Sequence, residues 1–432
     1  MKILIISNTT WDNSNSFGNT FSNLFEGIKD IEIYNICCRN GKENNSIVKQ
    51  AVQMTDASVL RSVYKTKYDP CWVMEKNDDN DKNIANQEIS VSARKKRRTI
   101  SFIIRDLIWK LGRWKKSKTL NEFLAKVKPD IAYLPIYASP YLCDVQKYII
   151  DKINVPVVGH VSDDIYGYPY KCSGLAKIYR NKIRKKVKKI VNRCEYLEVF
   201  AENMQNEYSK IFNKQCYLVG KGLTTDNIQN IKIDVPFGEK ISFVYTGNIA
   251  DGRYEVLSKI GNMIGEVFGN EKAKLEIYST TLLTDEMKKL FDACQNIVFH
   301  GAINKEDVAT VQKNADYLVH VEGFSDQAVF SAKMSFSTKI IDYISMNKPI
   351  FAVGPKDVNS ISVLEKENIA IVSTTEEEIR VNLQKILKGE IDFLEIEKNV
   401  IKYLTEKRDI IKIQQGIFNR LKETLKNESI TD

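Results

Sequence analysis

The stretch "FSTKIIDYISMNKPIFAVGP" (Phe336 to Pro355) sets Ser337, Thr338, Lys339 and Asp342 at the head of an amphipathic segment. Ile340, Ile341, Tyr343, Ile344 and Met346 continue it at helical spacing, and an apolar strand follows. A helix start presents unpaired backbone N–H groups and the positive end of the helix dipole, so it attracts an anion. Lys339 adds a point charge beside it. Asp342 lies three residues further on, hence on the same face one turn in, where a carboxylate can accept the hydroxyls of a ribose. These residue types at this spacing suit a nucleoside diphosphate. Taken singly they also suit an ordinary helix, with Ser-Thr as cap and Lys339 with Asp342 as a solvated pair worth about 0.2–0.5 kcal/mol.

Two further places carry candidate chemistry. After "KILIIS", the polar loop "SNTTWDNSNSFGNTFSNLFEG" (Ser7 to Gly27) leads to Gly18, Asn19 and Thr20, which open a helix with Phe21, Leu24, Phe25 and Ile28 on its apolar face. A glycine there lets a ligand approach the backbone, and a plain capped helix start fits the same residues. The segment "VPVVGHVSDDIYGYP" (Val155 to Pro169) puts His160, Asp163 and Asp164 at the end of a strand, where α/β folds place chemistry. A structural histidine and a helix-capping aspartate fit those positions too. His300 and His320 lie inside strand-like runs and read as satisfied core or strand-end residues. The eight cysteines form no C-x-x-C pair, which removes a zinc site or redox dithiol and leaves buried free thiols. "DDNDK" lacks the glycine turn and closing glutamate of an EF-hand loop and reads as a solvated acidic loop.

Elements that could position these residues are visible as short β-branched runs alternating with helical periodicity. "KILIIS", "IEIYNICC", "DIAYLPI", "VPVVGHV", "EYLEVFA" and "QCYLVG" form one series. "ISFVYTG", "KLEIYS", "NIVFHG", "YLVHV", "PIFAVG" and "IAIVS" form a second. Such alternation predicts α/β architecture, with parallel sheets covered by helices. With 432 residues, 43% hydrophobic and 28% charged, two doubly wound domains are expected. They run over 1–222, with an insertion about 40–118, and over 239–394, joined by a polar linker at 223–238. The segment 395–432 reads as helices that pack back on the first domain. Two such domains facing each other leave a cleft at the carboxyl ends of both sheets. The opening apolar run is too short for a signal peptide or a membrane span, so a cytoplasmic protein is expected.

The net charge of +9 is concentrated in "ARKKRR" with "WKLGRWKKSK", and in "YRNKIRKKVKK". Ile103, Ile104, Leu107, Ile108, Leu111 and Trp114 fall on one helical face, with Arg105, Lys110, Arg113 and Lys116 on the rest. Preceded by Arg94, Lys95, Arg97 and Arg98, this basic amphipathic helix suits the cytoplasmic face of an anionic membrane. A core-facing helix with a solvated exterior suits the same pattern. The second patch extends that surface, binds an acceptor's phosphate, or is simply a solvated helix. Nucleic acid is not an expected partner, since no recognition motif accompanies the charge.

The 336–355 stretch resembles the motif of GT-B glycosyltransferases, particularly the large retaining family four (group 1). The resemblance extends to "FVYTGNIADGRYEVL", to "NIVFHGAINKEDVATVQKNADYLVHV" and to "RCEYLEVFAENMQNEYSKIF". It implies two Rossmann-like domains facing across a cleft, an N-terminal acceptor-binding one and a C-terminal nucleotide-sugar-binding one. It implies donor contacts from Gly18, Asn19, Gly247, Asn248, Arg253, Ser337, Thr338, Lys339 and Asp342, with His160 as a hydrogen-bonding or acid/base group and Asp163 or Asp164 on the acceptor side. Two departures matter. The family's Gly-Arg pair is Gly247-Asn248 here, with Arg253 where a lysine would stand, and Met334 replaces the first of two glutamates. The implied activity is retaining transfer of a sugar from a nucleoside-diphosphate sugar, with uridine as the expected base, to a lipid-linked or polysaccharide acceptor in cell-surface glycan synthesis. No cofactor is implied, and no metal is required if Arg253, Lys339 and the helix start carry the leaving charge. A nucleotide-sugar 2-epimerase of the same fold and a non-catalytic basic binding protein are the alternatives.

Overall fold

The computed structural model describes residues 1–74, 95–169, 171–236, 238 and 240–428, with the side chains of 95–98, 305 and 427–428 left out. The acidic "DDNDK" segment and Arg94 lie outside the described residues. The chain forms two units, one of residues 1–220 with 412–432 and one of residues 221–411.

The first unit is built on an eight-stranded sheet of β1 (Lys2–Ser7), β2 (Glu32–Cys37), β3 (Val48–Met54), β4 (Cys71–Met74), β5 (Ile131–Pro135), β6 (Val157–Val161), β7 (Leu197–Val199) and β8 (Cys216–Leu218). Its order is β4-β3-β2-β1-β5-β6-β7-β8, parallel except for the β3–β4 pair. The interior strands β5 and β6 are buried along their whole length, as strands covered on both faces must be. Strands β3 and β4 fall within the stretch expected to be an insertion. Lys49, Gln50 and Gln53 break the apolar alternation of β3, although Gln53 is buried and donates to the Arg39 and Gly41 carbonyls. From 412 onward the chain returns to this unit, burying Ile417 and Leu421 completely.

The second unit holds β9 (Ile241–Thr246), β10 (Ala273–Tyr278), β11 (Ile297–Gly301), β12 (Tyr317–Val321), β13 (Ile350–Val353) and β14 (Ile371–Ser373) in the order β11-β10-β9-β12-β13-β14, all parallel. The order reverses between β9 and β12, so the crevice outside their carboxyl ends is where a doubly wound sheet receives a ligand. The segment expected as linker carries a helix, Thr225–Gln229, whose Ile228 joins this unit's core. The helix Phe393–Lys407, expected among those returning to the first domain, also belongs to the second unit through Val400, Tyr403 and Leu404.

Candidate active site

Strand β9 ends at Thr246, and Gly247 follows with φ +146°, where a Cβ would stand 2.2 Å from the Lys339 amine. That absent side chain is what lets Lys339, at the first position of the helix Lys339–Ser345, reach back across the strand end. Its Nζ donates to the Thr246 carbonyl at 3.3 Å and lies 5.3 Å from the centre of the Tyr245 ring. Tyr343 and Gln312 anchor the same strand end through Thr246, Gln312 donating to its hydroxyl at 2.7 Å. Tyr245 donates to the Asn248 carbonyl at 2.6 Å, and the Asn248 side chain accepts from the Ala250 N–H. The turn is thereby fixed before any ligand arrives.

The loop then enters the helix Arg253–Phe268 through Gly252, which caps it with φ 79°. Arg253 donates from Nε (3.1 Å) and Nη2 (2.7 Å) to one oxygen of Glu322, the residue after β12. The other Glu322 oxygen is 3.6 Å from His320 Nε2, a buried nitrogen with no hydrogen-bond partner. Burial pushes Glu322 up against the pull of Arg253. Burial, then Lys339 and Arg253, push His320 down to about 3, so its ring is neutral. Lys339 is lowered to about 8, by burial first and by Arg253 second. The switch point thus gathers two cations, a mostly buried carboxylate and a neutral imidazole within one crevice wall.

Asp342 sits one turn into its helix as expected, but its carboxylate is already held by Lys221, whose side chain is only 11% exposed. Ser337 and Thr338 precede the helix without capping it by side chain, and the Ser337 N–H is taken by Ser360 Oγ at 2.9 Å. A ribose would therefore meet a Lys221–Asp342 pair rather than a lone carboxylate. Sequence reasoning missed Glu322 and Lys221, and it read His320 as a satisfied core or strand-end residue, whereas its buried Nε2 has no hydrogen-bond partner. The signal for Glu322 was its place directly after the buried strand "YLVHV"; Lys221 left none, since its partner is 121 residues away.

In the first unit the candidates separate. The helix after β1 starts at Ser16, capped by Asn15, whose side chain accepts from the Gly18 N–H. A Cβ on Gly18 would lie 2.1 Å from the Asp12 carbonyl, so the glycine is required by the chain's own loop rather than by a ligand. Asn19 is half-buried in the same first turn, its N–H bonded to the Asn15 carbonyl. Asp164 accepts from the Tyr166 and Gly167 N–H groups and from the Tyr208 hydroxyl at 2.7 Å, which makes it the anchor of its own turn. Asp163, its neighbour, is exposed.

His160 is 1% exposed and burial pushes its pKa down to about 3. Hydrogen bonding, not proton exchange, is what such a ring offers near neutral pH. Its position is set from behind. Arg420 donates from Nε at 3.1 Å, and again from Nη2, to one oxygen of the fully buried Glu198; Tyr133 donates to the other at 2.6 Å. The Tyr133 oxygen then accepts, so His160 Nδ1, 3.0 Å away, carries the proton and Nε2 accepts from Ser162 Oγ at 3.1 Å.

The helix Lys95–Leu111 exposes Ile104, Leu107 and Leu111 at 53%, 52% and 57%. Ile108 is half-buried, and Trp114 is taken out of that face, buried with its indole N–H donated to the Trp109 carbonyl at 2.8 Å. The side chains of Lys95, Arg97 and Arg98 lie outside the described residues. Among the described residues no helix is long and apolar enough to cross a membrane.

No family model matches the chain, and no curated protein sequence does. Solved structures do. The lipopolysaccharide outer core galactosyltransferase WaaB in its apo form matches with 12% identity, over 97% of this chain and 100% of that one, at a TM-score of 0.56. Anabaena Alr3699/HepE in complex with UDP-glucose matches with 10% identity, over 98% and 100%, at 0.61. An E. coli trehalose-6-phosphate structure bound with UDP-2-fluoro glucose matches with 8% identity, over 98% and 99%, at 0.61. At these identities the likeness establishes the fold, two Rossmann-like units of the GT-B type.

Proposed function

We propose that the protein is a glycosyltransferase that moves a sugar from a nucleoside-diphosphate sugar, with uridine as the base, to a hydroxyl of a lipid-linked or polysaccharide acceptor in cell-surface glycan synthesis. The observation that carries this reading is the placement of Arg253 and Lys339 together at the switch point of the second sheet, in a fold that similar structures show holding UDP-glucose and UDP-2-fluoro glucose. The reaction separates the anomeric carbon from the diphosphate oxygen, and negative charge grows on that leaving group. Lys339 and Arg253 are held before the reaction, so stabilising that charge requires no reorganisation. The fixed Gly247–Asn248 turn lets phosphate oxygens approach the backbone, and the Lys221–Asp342 pair offers an acceptor and a donor to ribose hydroxyls. Glu322 and His320 face the same wall as acceptors for donor-sugar hydroxyls.

The reading prefers retention, because the departing diphosphate can itself take the acceptor's proton as the acceptor oxygen bonds to the anomeric carbon. His160 is then a hydrogen-bonding group, and exposed Asp163 an acceptor-side contact. Peripheral attachment to the cytoplasmic membrane face through Ile104, Leu107 and Leu111 belongs to the same proposal. The test is UDP release from UDP-sugars with a panel of glycan and lipid-linked acceptors, with the product's anomeric configuration read by NMR. Acceptor-dependent release, lost in Lys339→Met, is expected. Donor binding without release for any acceptor, or release indifferent to Lys339, would overturn the proposal.

A further inference from the structure

The two basic segments of the sequence, some seventy residues apart, meet around one feature of the first unit. An open cavity of about 510 Å³ lies among the helices Lys95–Leu111, Pro140–Ile153 and Gly174–Val191. Lys110 and Lys115 come from the first segment, Lys182 and Lys186 from the second, and Lys147 joins them from the helix between. Three carboxylates share the lining, each already paired: Asp106 with Lys182 at 2.6 Å, Asp144 with Lys186, and Asp151 with Lys147. Lys110 and Lys115 remain without a carboxylate among the described residues, Lys115 lying 5.4 Å from the ring centres of both Trp114 and Tyr148. Asp106 is 8% exposed; its Oδ1 is buried with no hydrogen-bond partner, while the Tyr179 hydroxyl interacts with the same carboxylate.

An occupant has three demands to meet. It must bring negative charge to the two uncompensated amines. It must bring an O–H or N–H donor for Asp106 Oδ1, since a buried carboxylate oxygen left unpaired is costly. It must also be compact enough to lie against the aromatic edges of Trp109, Trp114 and Tyr148. We infer that this cavity binds a phosphate ester of a polyol, the phosphate meeting Lys110 and Lys115 and a hydroxyl donating to Asp106. Inorganic phosphate brings its charge and its O–H on one and the same group, whereas a polyol phosphate ester holds a hydroxyl apart from its charge, and a neutral sugar meets the second demand alone. The same chemistry occurs in a soluble sugar phosphate and in a glycerophosphate lipid headgroup, and the exposed Leu107 and Leu111 on one of the lining helices suit the latter. The inference concerns the first unit by itself and does not depend on the donor site of the second.

The test titrates the full chain with glucose 1-phosphate, inorganic phosphate and glucose, and measures cosedimentation with phosphatidylglycerol or phosphatidylcholine vesicles. Glucose 1-phosphate is expected to bind at least tenfold more tightly than phosphate or glucose, or the chain to sediment with phosphatidylglycerol and not phosphatidylcholine. The two arms identify the source. Lys110→Gln with Lys115→Gln, both on exposed side chains, should abolish that binding while UDP-glucose titrates as before. Asp106→Asn should reduce the advantage over inorganic phosphate, and Lys182→Gln controls for the unpaired partner it leaves. Absence of saturable binding in both arms would overturn the inference, as would binding indifferent to the double substitution.

Discussion

Lys339 reaches the end of β9 only because Gly247 has no side chain, and the two residues make one device although they are 92 positions apart in the chain. Gly247→Ala is expected to displace the amine and to strain the backbone at φ +146°, weakening UDP-glucose binding about tenfold, roughly 1.4 kcal/mol, and lowering the melting temperature, whereas Lys339→Met should weaken binding with the melt little changed. Calorimetric titration beside a thermal melt checks this. Lys339 also sets a pH dependence. With its pKa lowered to about 8, the cation that meets a diphosphate is present below that value and lost as pH rises through it. Affinity should therefore fall about tenfold between pH 7 and 9, and Lys339→Arg, whose charge does not titrate in this range, should flatten the profile. A profile unchanged by that substitution would remove Lys339 from the site. Lys339 and Asp342 stand at a helix start that local patterning marks, while Gly247 and Arg253 were singled out only through the family resemblance. Glu322 was passed over and His320 read as a satisfied core or strand-end residue, since a strand-end residue shows its role only when the loop carrying Arg253 is folded against it. His160 was found for its position, while its buried, neutral state depends on Tyr133, Glu198 and Arg420, which no local pattern connects.

Elements were the most legible level where burial is two-sided. All twelve apolar runs became strands; nine of them lie between two neighbours, where a parallel strand needs a continuous hydrophobic stretch, and β8, β11 and β14 close the sheet edges. Strands β3 and β4 escaped notice for the opposite reason. Only β4 lies at the sheet edge, where one ladder side is open; β3 is paired on both sides, and Lys49, Gln50 and Gln53 interrupt its apolar run. The start of the first helix was misplaced by two residues because Gly18 draws attention as an opening turn, whereas Asn15 is the cap. The element that most repays a test is the C-terminal helix Ile410–Glu428, through Arg420. Arg420→Met leaves the fully buried Glu198 without its cation, and removing one partner of such a pair costs about 3 kcal/mol. Hydrogen exchange should show faster opening of amides around β5, β6 and β7, with those of β9 to β14 unchanged, and Glu198→Gln added to Arg420→Met should restore part of the loss. Uniform acceleration across both units, or none, would contradict the role given to that pair.

At the scale of the whole molecule, the chain folds as two Rossmann-like units whose strand orders both reverse beside their first strand, and the GT-B likeness spans nearly all of it. The two-domain plan was legible because strand and helix periodicities restart after a polar lapse. The unit boundary was not, since the segment after β8 and the helix Phe393–Lys407 join the second core through scattered residues such as Ile228 and Tyr403. The division of work assigned to the molecule rests on the second unit holding the nucleoside diphosphate. The direct measurement is calorimetric titration of the full chain with UDP-glucose and UDP at pH 7, repeated with Lys339→Met and with Lys110→Gln. The account predicts saturable binding of one nucleotide per chain, weakened at least tenfold by Lys339→Met and untouched by Lys110→Gln. Absence of binding to either nucleotide, or binding that ignores Lys339, would contradict it.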